Sequence, residues 1–136
     1  MRVAMLAALV LAASCGDGEG GGPGGLGGSF SCRAVLPGAD GGTGMLALCI
    51  EGSGGTAQDL ATNRQSCAAQ GNMFAEEPCP HGGALGGCRY TTTLSNVVVT
   101  NWYYANGGLA AADVQAICDG LATGLPSVVQ VQFVHP

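Results

Sequence analysis

The chain of 136 residues contains no lysine, and its cationic side chains are limited to Arg2, Arg33, Arg64 and Arg89, set against nine acidic residues. Without a basic patch there is no electrostatic footprint for nucleic acid. The same acidity is repelled by anionic headgroups, so a membrane attachment has to be a covalent lipid. Charge of either sign is sparse, at 10% of residues, and aromatic side chains make up only 5%. A core built from this composition has little bulk to bury. The only histidines are His81 and His135. A serine or cysteine nucleophile needs a positioned base, and no Gly-x-Ser-x-Gly elbow occurs. No apolar run reaches the roughly 20 residues that a spanning helix requires. The expectation is a protein that is not an enzyme and holds no cofactor.

What the chain does have is 25 Gly and 7 Cys. Arg2 and the apolar run Val3 to Ala13 have the layout of an export signal. The run ends in Leu11-Ala12-Ala13-Ser14-Cys15, which resembles the lipobox of bacterial lipoproteins. Leu11 stands four residues before the cysteine, and Ala12 takes the usual leucine position. The resemblance implies thioether lipidation of Cys15, cleavage before it and N-acylation, with palmitate the expected acyl chain. Gly16 stands where an aspartate would signal inner-membrane retention, so the same resemblance implies the outer membrane. The competing reading is an ordinary cleaved signal with Cys15 fortuitous. The run Gly16 to Ser29 has almost no side chain to bury and is expected to be a disordered tether. A Gly-rich coil of that length spans on the order of 20 Å. Gly16-x-Gly18-x-x-Gly21 formally matches a dinucleotide fingerprint, but no strand precedes it and no helix follows it. The domain organisation is then a signal peptide over 1–14, an acylated cysteine and tether over 15–29, and a folded domain over 30–136.

With Cys15 set aside, Cys32, Cys49, Cys67, Cys79, Cys88 and Cys118 remain. An even count in a small exported chain implies three disulfides, and six cysteines allow 15 pairings.

The domain reads as strand, helix, strand, hairpin, helix, strand. Met45 to Ile50 is a short apolar run typical of a buried strand. Thr56, with Asp59 three residues on, starts a helix that runs to about Gln70, where Gly71 stops it. Ala57, Leu60, Ala61, Cys67 and Ala68 share one face of it, and Arg64 falls on the same face. Asn72 to Ala75 is a short strand. Cys88 to Leu94 alternates and Val97 to Tyr104 is β-branched and aromatic, so the two form a hairpin with Ser95-Asn96 as its turn. A second helix from about Leu109 turns Ala110, Val114, Ile117, Cys118 and Leu121 inward, and Val128 to Val134 closes the chain as a strand. The two halves echo each other, each placing a cysteine late in its helix. The expected fold is α+β: a small disulfide-stabilised two-layer sandwich of two similar halves, with two helices on a mainly antiparallel sheet. A ferredoxin-like arrangement is the nearest named pattern. A strand and the following helix run in opposite directions, which disfavours a Cys49–Cys67 bridge. It makes any pair among Cys49, Cys79 and Cys88 easier than one with Cys67 or Cys118.

Candidate chemistry is thin. Cys79, His81 and Cys88 are metal-ligand types close in sequence and would suit a soft metal if the thiols stayed reduced. Export argues against that. Glu76 and Glu77 are adjacent, and neighbouring strand residues point to opposite faces. Trp102, Tyr103 and Tyr104 form the best candidate ligand surface, with Trp102 and Tyr104 on one face and Tyr103 on the other. The plainer alternative is that Trp102 and Tyr104 cover the sheet beneath the helices.

Cys49 before a Gly-rich turn, Cys67 in a helix, Cys79-Pro80, Gly86-Gly87-Cys88, Tyr103-Tyr104 and Val114-Gln115 with Cys118 together resemble small cysteine-rich lipoproteins of multicellular, predatory Gram-negative soil bacteria. The resemblance spans roughly Leu46 to Val131 and implies no particular activity. Leu125-Pro126-Ser127 departs from it, where a glycine-rich turn into an aromatic strand is expected. The functional expectation is a lipid-anchored, disulfide-stabilised envelope-surface protein with a structural or binding role. Its partners would be the membrane through Cys15 and an envelope protein or glycan. The alternative is a periplasmic metal-binding protein using Cys79, His81 and Cys88.

Overall fold

A computed structural model describes residues 29–37 and 44–136. The signal, Cys15 and all but the last residue of the tether lie outside the described residues. So do residues 38–43. Six strands, β1 (Ser29–Leu36), β2 (Met45–Ser53), β3 (Met73–Ala75), β4 (Ala84–Thr92), β5 (Val98–Tyr104) and β6 (Val129–Val134), form one sheet in the order β3-β1-β2-β5-β4-β6. Every pairing is antiparallel. Two helices, α1 (Ala57–Ala69) and α2 (Ala111–Gly124), complete the α+β fold.

The two halves are the same unit. Each is a hairpin, a helix and a strand that returns to the outer side of the first hairpin strand, and β2 and β5 join them at the middle. The register shows how closely they match. One row of opposed residues runs Phe74, Cys32, Ile50, Asn101, Cys88, Phe133 across all six strands. It reads almost the same from either end, with the pseudo-two-fold between Ile50 and Asn101. Cys32-Arg33 corresponds to Cys88-Arg89.

Residues opposed in an antiparallel ladder share a face, so this row defines the helix face. Cys32 is bonded to Cys67 of α1, and Cys88 to Cys118 of α2. Both helices therefore cover one side of the sheet. Each starts on an acidic side chain that reaches back to its cap. Asp59 Oδ2 accepts from the Thr56 N–H at 2.7 Å, and Asp113 Oδ2 from the Ala110 N–H at 2.8 Å.

The two helices are held differently. α2 buries Val114 and Cys118, and Ile117, Leu121, Tyr90, Tyr103, Val131 and Phe133 pack around the cluster they form with Cys88. Burying a side chain such as Val114 contributes roughly 1.5–3 kcal/mol. α1 buries only Cys67. It turns Leu60, Asn63, Ser66 and Cys67 toward the sheet and leaves Ala57, Ala61 and Ala68 exposed. The alanine stripe expected to face inward is thus turned outward, because the disulfide fixes the helix through Cys67. Arg64 sits 5.1 Å from the centre of the Phe74 ring, which stacks on Phe30 at 5.9 Å. Phe30 in turn fills the space over Gly52, where an added Cβ would lie 2.3 Å from the ring. Phe133 does the same over Gly86, whose φ of +151° also favours glycine.

Three expectations need correction. β1 is an additional strand, starting at Ser29 inside the segment assigned to the tether and inserted between β3 and β2. The glycine run before it hid its alternation of Phe30, Cys32 and Ala34. The sheet therefore has six strands rather than the four of a ferredoxin-like arrangement. The β4–β5 turn spans 93–97, and Leu94 is 79% exposed in it rather than part of the strand. Cys88 does not prefer Cys79 over Cys118, because Cys88 and Cys49 point to opposite faces of the sheet.

Removing the first bridge by Cys32→Ala with Cys67→Ala should free α1 while leaving the sheet and α2 intact. The expected result is loss of amide-exchange protection over 57–69 alone, together with a stability loss of about 2–5 kcal/mol. All three tyrosines gain from burial. It pushes Tyr90 up to about 12 and raises Tyr103 and Tyr104 as well. Folded Tyr90 then keeps its proton between about pH 10 and 12 while the unfolded chain loses it. That stabilisation is whole below about pH 10 and drains away as pH rises toward 12. Tyrosinate absorbance should accordingly rise well above pH 10 in the folded protein and near pH 10 in denaturant.

Candidate functional site

The connection from β3 to β4 builds the most developed cluster of chemically capable groups. β3 lies at one edge of the sheet and β4 beyond β5, so residues 76–83 must cross β1, β2 and β5. They cross on the face opposite the helices. The row there reads Met73, Arg33, Cys49, Trp102, Gly87, Val134, and the next reads Ala75, Ser31, Glu51, Thr100, Arg89, Gln132.

Four side chains fasten this strap to the sheet. Cys49 of β2 is bonded to Cys79. Glu51 Oε2 accepts from the Cys79 N–H at 3.0 Å and lies 3.1 Å from His81 Nε2. The Tyr104 hydroxyl donates to the Pro80 carbonyl. Arg33 donates to Glu77 at 2.6 Å and to the Pro78 carbonyl at 3.4 Å. The His81 ring then lies over Trp102, with centroids 4.2 Å apart. Cys49, Cys79, Trp102 and Tyr104 make the small core beneath.

Glu76 and Glu77 diverge at the start of the strap. Glu76 pairs with Arg64 on the helix side, and Glu77 with Arg33 on the strap side. Both pairs are largely exposed at the carboxylate and contribute no more than about 1 kcal/mol each. Arg89, the counterpart of Arg33, has no ion-pair partner among the described residues.

The strap covers polar as well as apolar surface. Ser31 Oγ, Arg33 Nε and Trp102 Nε1 are buried without a hydrogen-bond partner. A buried unsatisfied polar group costs about 1–3 kcal/mol. This buried surface adds little adhesion, which leaves the strap's attachment to the disulfide and to the Glu51, Tyr104 and Arg33 contacts.

The chemistry available here is limited. His81 and Glu51 form a hydrogen-bonded acid–base pair, and among the described residues no free nucleophile accompanies it. Cys79 is oxidised, and Ser31, the hydroxyl opposite Glu51 on β1, is fully buried. Trp102 and Tyr104 are buried under the strap, and Tyr103 lies under α2. The alternative placement of Trp102 and Tyr104 beneath the helices is therefore reversed: Tyr103 takes that position. Cys79, His81 and Cys88 do not come together as a metal site. Cys88 faces the helices in its bond to Cys118, and Cys79 faces the strap side in its bond to Cys49. Neither sulfur is a free thiolate, and the described residues hold no group of three or more potential metal ligands. His135 makes an edge contact with Phe133 at the end of β6. No helix among the described residues is long and apolar enough to cross a membrane.

Glu51 escaped the sequence reading because it stands 30 residues from His81 and just past Ile50, where the apolar run that marks the strand stops, whereas β2 continues to Ser53. Its position two residues after Cys49 was the available signal, since both then share the strap face. Glu51→Ala should leave the Cys79 N–H unsatisfied. It should cost about 1–3 kcal/mol in urea unfolding while faster amide exchange stays confined to 76–83. No family model matches this chain, and no curated protein or solved structure matches it either.

Proposed function

We propose that the protein is a lipid-anchored domain carried on the envelope surface, without catalysis, serving a structural or binding role toward an envelope protein or glycan. It is disulfide-stabilised, with three bonds that tie both helices and the strap to one sheet. Cystine of this density belongs to an oxidising, non-cytoplasmic compartment. The observation that carries this reading is the division of the seven cysteines. Six are consumed pairwise in buried bonds, and the seventh, Cys15, closes the lipobox-like run Leu11 to Ser14. One cysteine left over, at the end of a run laid out as an export signal, provides the thiol that thioether anchoring needs. Gly16 after that cysteine favours the outer membrane.

The test is the intact mass of the native protein. It should begin at Cys15 and carry a diacylglyceryl group and an acyl chain. It should also fall short of the fully reduced mass by six hydrogens, with no thiol reacting with iodoacetamide before reduction. Cys15→Ser should leave the protein unacylated and release it from the membrane fraction. A native chain that starts at Met1 with free thiols would overturn the proposal.

A further inference from the structure

The sheet has two outer edges, and they are finished differently. β3 is three residues long and runs straight into Glu76-Glu77-Pro78. Short length, charge and proline are the usual devices that keep an edge from pairing with another chain. β6 has none of them. It is six residues of Val-Gln-Val-Gln-Phe-Val, uncharged, with no proline, glycine or bulge. It continues its ladder with β4 over its full length, from Thr92↔Val129 to Gly87↔Val134. Its outer side has no partner strand among the described residues.

The hydrogen-bonding parity of β6 follows from one bond. The Thr93 N–H donates to the Val128 carbonyl at 3.2 Å in the same register. In an antiparallel ladder hydrogen-bonded pairs alternate. Gln130, Gln132 and Val134 therefore turn their backbone groups toward β4, and Val129, Val131 and Phe133 turn theirs outward. The Val129 N–H is already satisfied by the Pro126 carbonyl at 2.9 Å. What remains unpaired is a compact set: the N–H of Val131 and Phe133, and the carbonyls of Val129, Val131 and Phe133.

That set is complementary to itself. Two copies of β6 laid antiparallel about a two-fold axis at Val131 exchange both Val131 N–H···O=C bonds. Each Phe133 N–H also meets the Val129 carbonyl of the other copy. Only the Phe133 carbonyl is left over. On the strap-side face Gln130 then stands opposite Gln132 of the second copy, an uncharged amide pair. The chain as a whole carries a net charge of −5, yet β6 itself holds no acidic side chain to oppose this approach.

We infer that β6 is a homodimerisation edge, joining two copies of this chain through antiparallel β6–β6 pairing into one continuous sheet. Edge-to-edge contact of six residues buries less than the roughly 1,000 Å² of a stable interface, so the dimer is weak and concentration-dependent. A dissociation constant on the order of 100 μM fits that area.

The experiment is amide exchange and sedimentation on the full oxidised chain from about 10 μM to about 1 mM, a range that brackets the expected constant. Protection of Val131 and Phe133 should rise with concentration alongside a doubling of mass, while Gln130, Gln132 and Val134 stay protected throughout. Gln130→Lys with Gln132→Lys sets like charges opposite each other in the dimer and touches nothing under α2. It should abolish the concentration dependence and leave the β4-facing amides protected, which reports an intact fold. Val131 and Phe133 amides that exchange freely at every concentration would sink the inference. So would self-association that persists in the lysine variant.

Discussion

The bond between sulfur atoms is the constraint on which this architecture depends. The chain has few large apolar side chains, and the most deeply buried set is dominated by cysteine. Cys49, Cys67, Cys88 and Cys118 are each at most 2% exposed, with Val114 and Ser31 beside them. Three bridges closing loops of 30 to 35 residues each remove about 3–4 kcal/mol of unfolded-chain entropy. In a small domain with one thin hydrophobic layer, that is comparable with total stability. The bridges also decide which way elements face. α1 presents Cys67 to the sheet and leaves its alanines in solvent, the reverse of what hydrophobic burial alone would select.

The same economy explains the symmetry. One unit of hairpin, helix and returning strand can bury only one face of a three-stranded sheet. Two such units joined along β2 and β5 share a seam and make a six-stranded sheet under two helices. The pseudo-two-fold leaves the far side of the sheet bare in both halves. In the first half the chain that leads from β3 to β4 covers it. The strap follows from connectivity: β3 ends at one edge and β4 begins four positions away, with the helices occupying the other face. Arg33 is consequently drawn into the strap, while its counterpart Arg89 stays at the surface.

Much of this was legible in the residues themselves. The Thr56–Asp59 cap fixed the start of α1 to within a residue, since a side-chain acceptor three positions from a carboxylate satisfies two end groups at once. The spacing of Val114, Ile117, Cys118 and Leu121 gave the buried face of α2. The alternation through Cys88 and Tyr90 gave the face of β4. The rejection of a Cys49–Cys67 bridge also holds, because those sulfurs lie on opposite sides of the sheet. The strand at Ser29–Leu36 was obscured because eight alternating residues beside a glycine run carry little signal of their own. The orientation of α1 was missed because periodicity measures apolar content and takes no account of covalent attachment.

By itself the sequence determined composition-level and local properties: an acidic chain without lysine, six cysteines for three bonds, two helices with the cap of the first, and two similar halves. These depend on residue identity and on interactions spanning a few positions. Tertiary structure alone decided which cysteines meet, that His81 comes to rest on Trp102 beside Glu51, and which strand forms each edge. Those outcomes depend on the order of strands in the sheet and on which face each one turns inward. Both are set by contacts between residues tens of positions apart, where a single chain carries no local record of its neighbours.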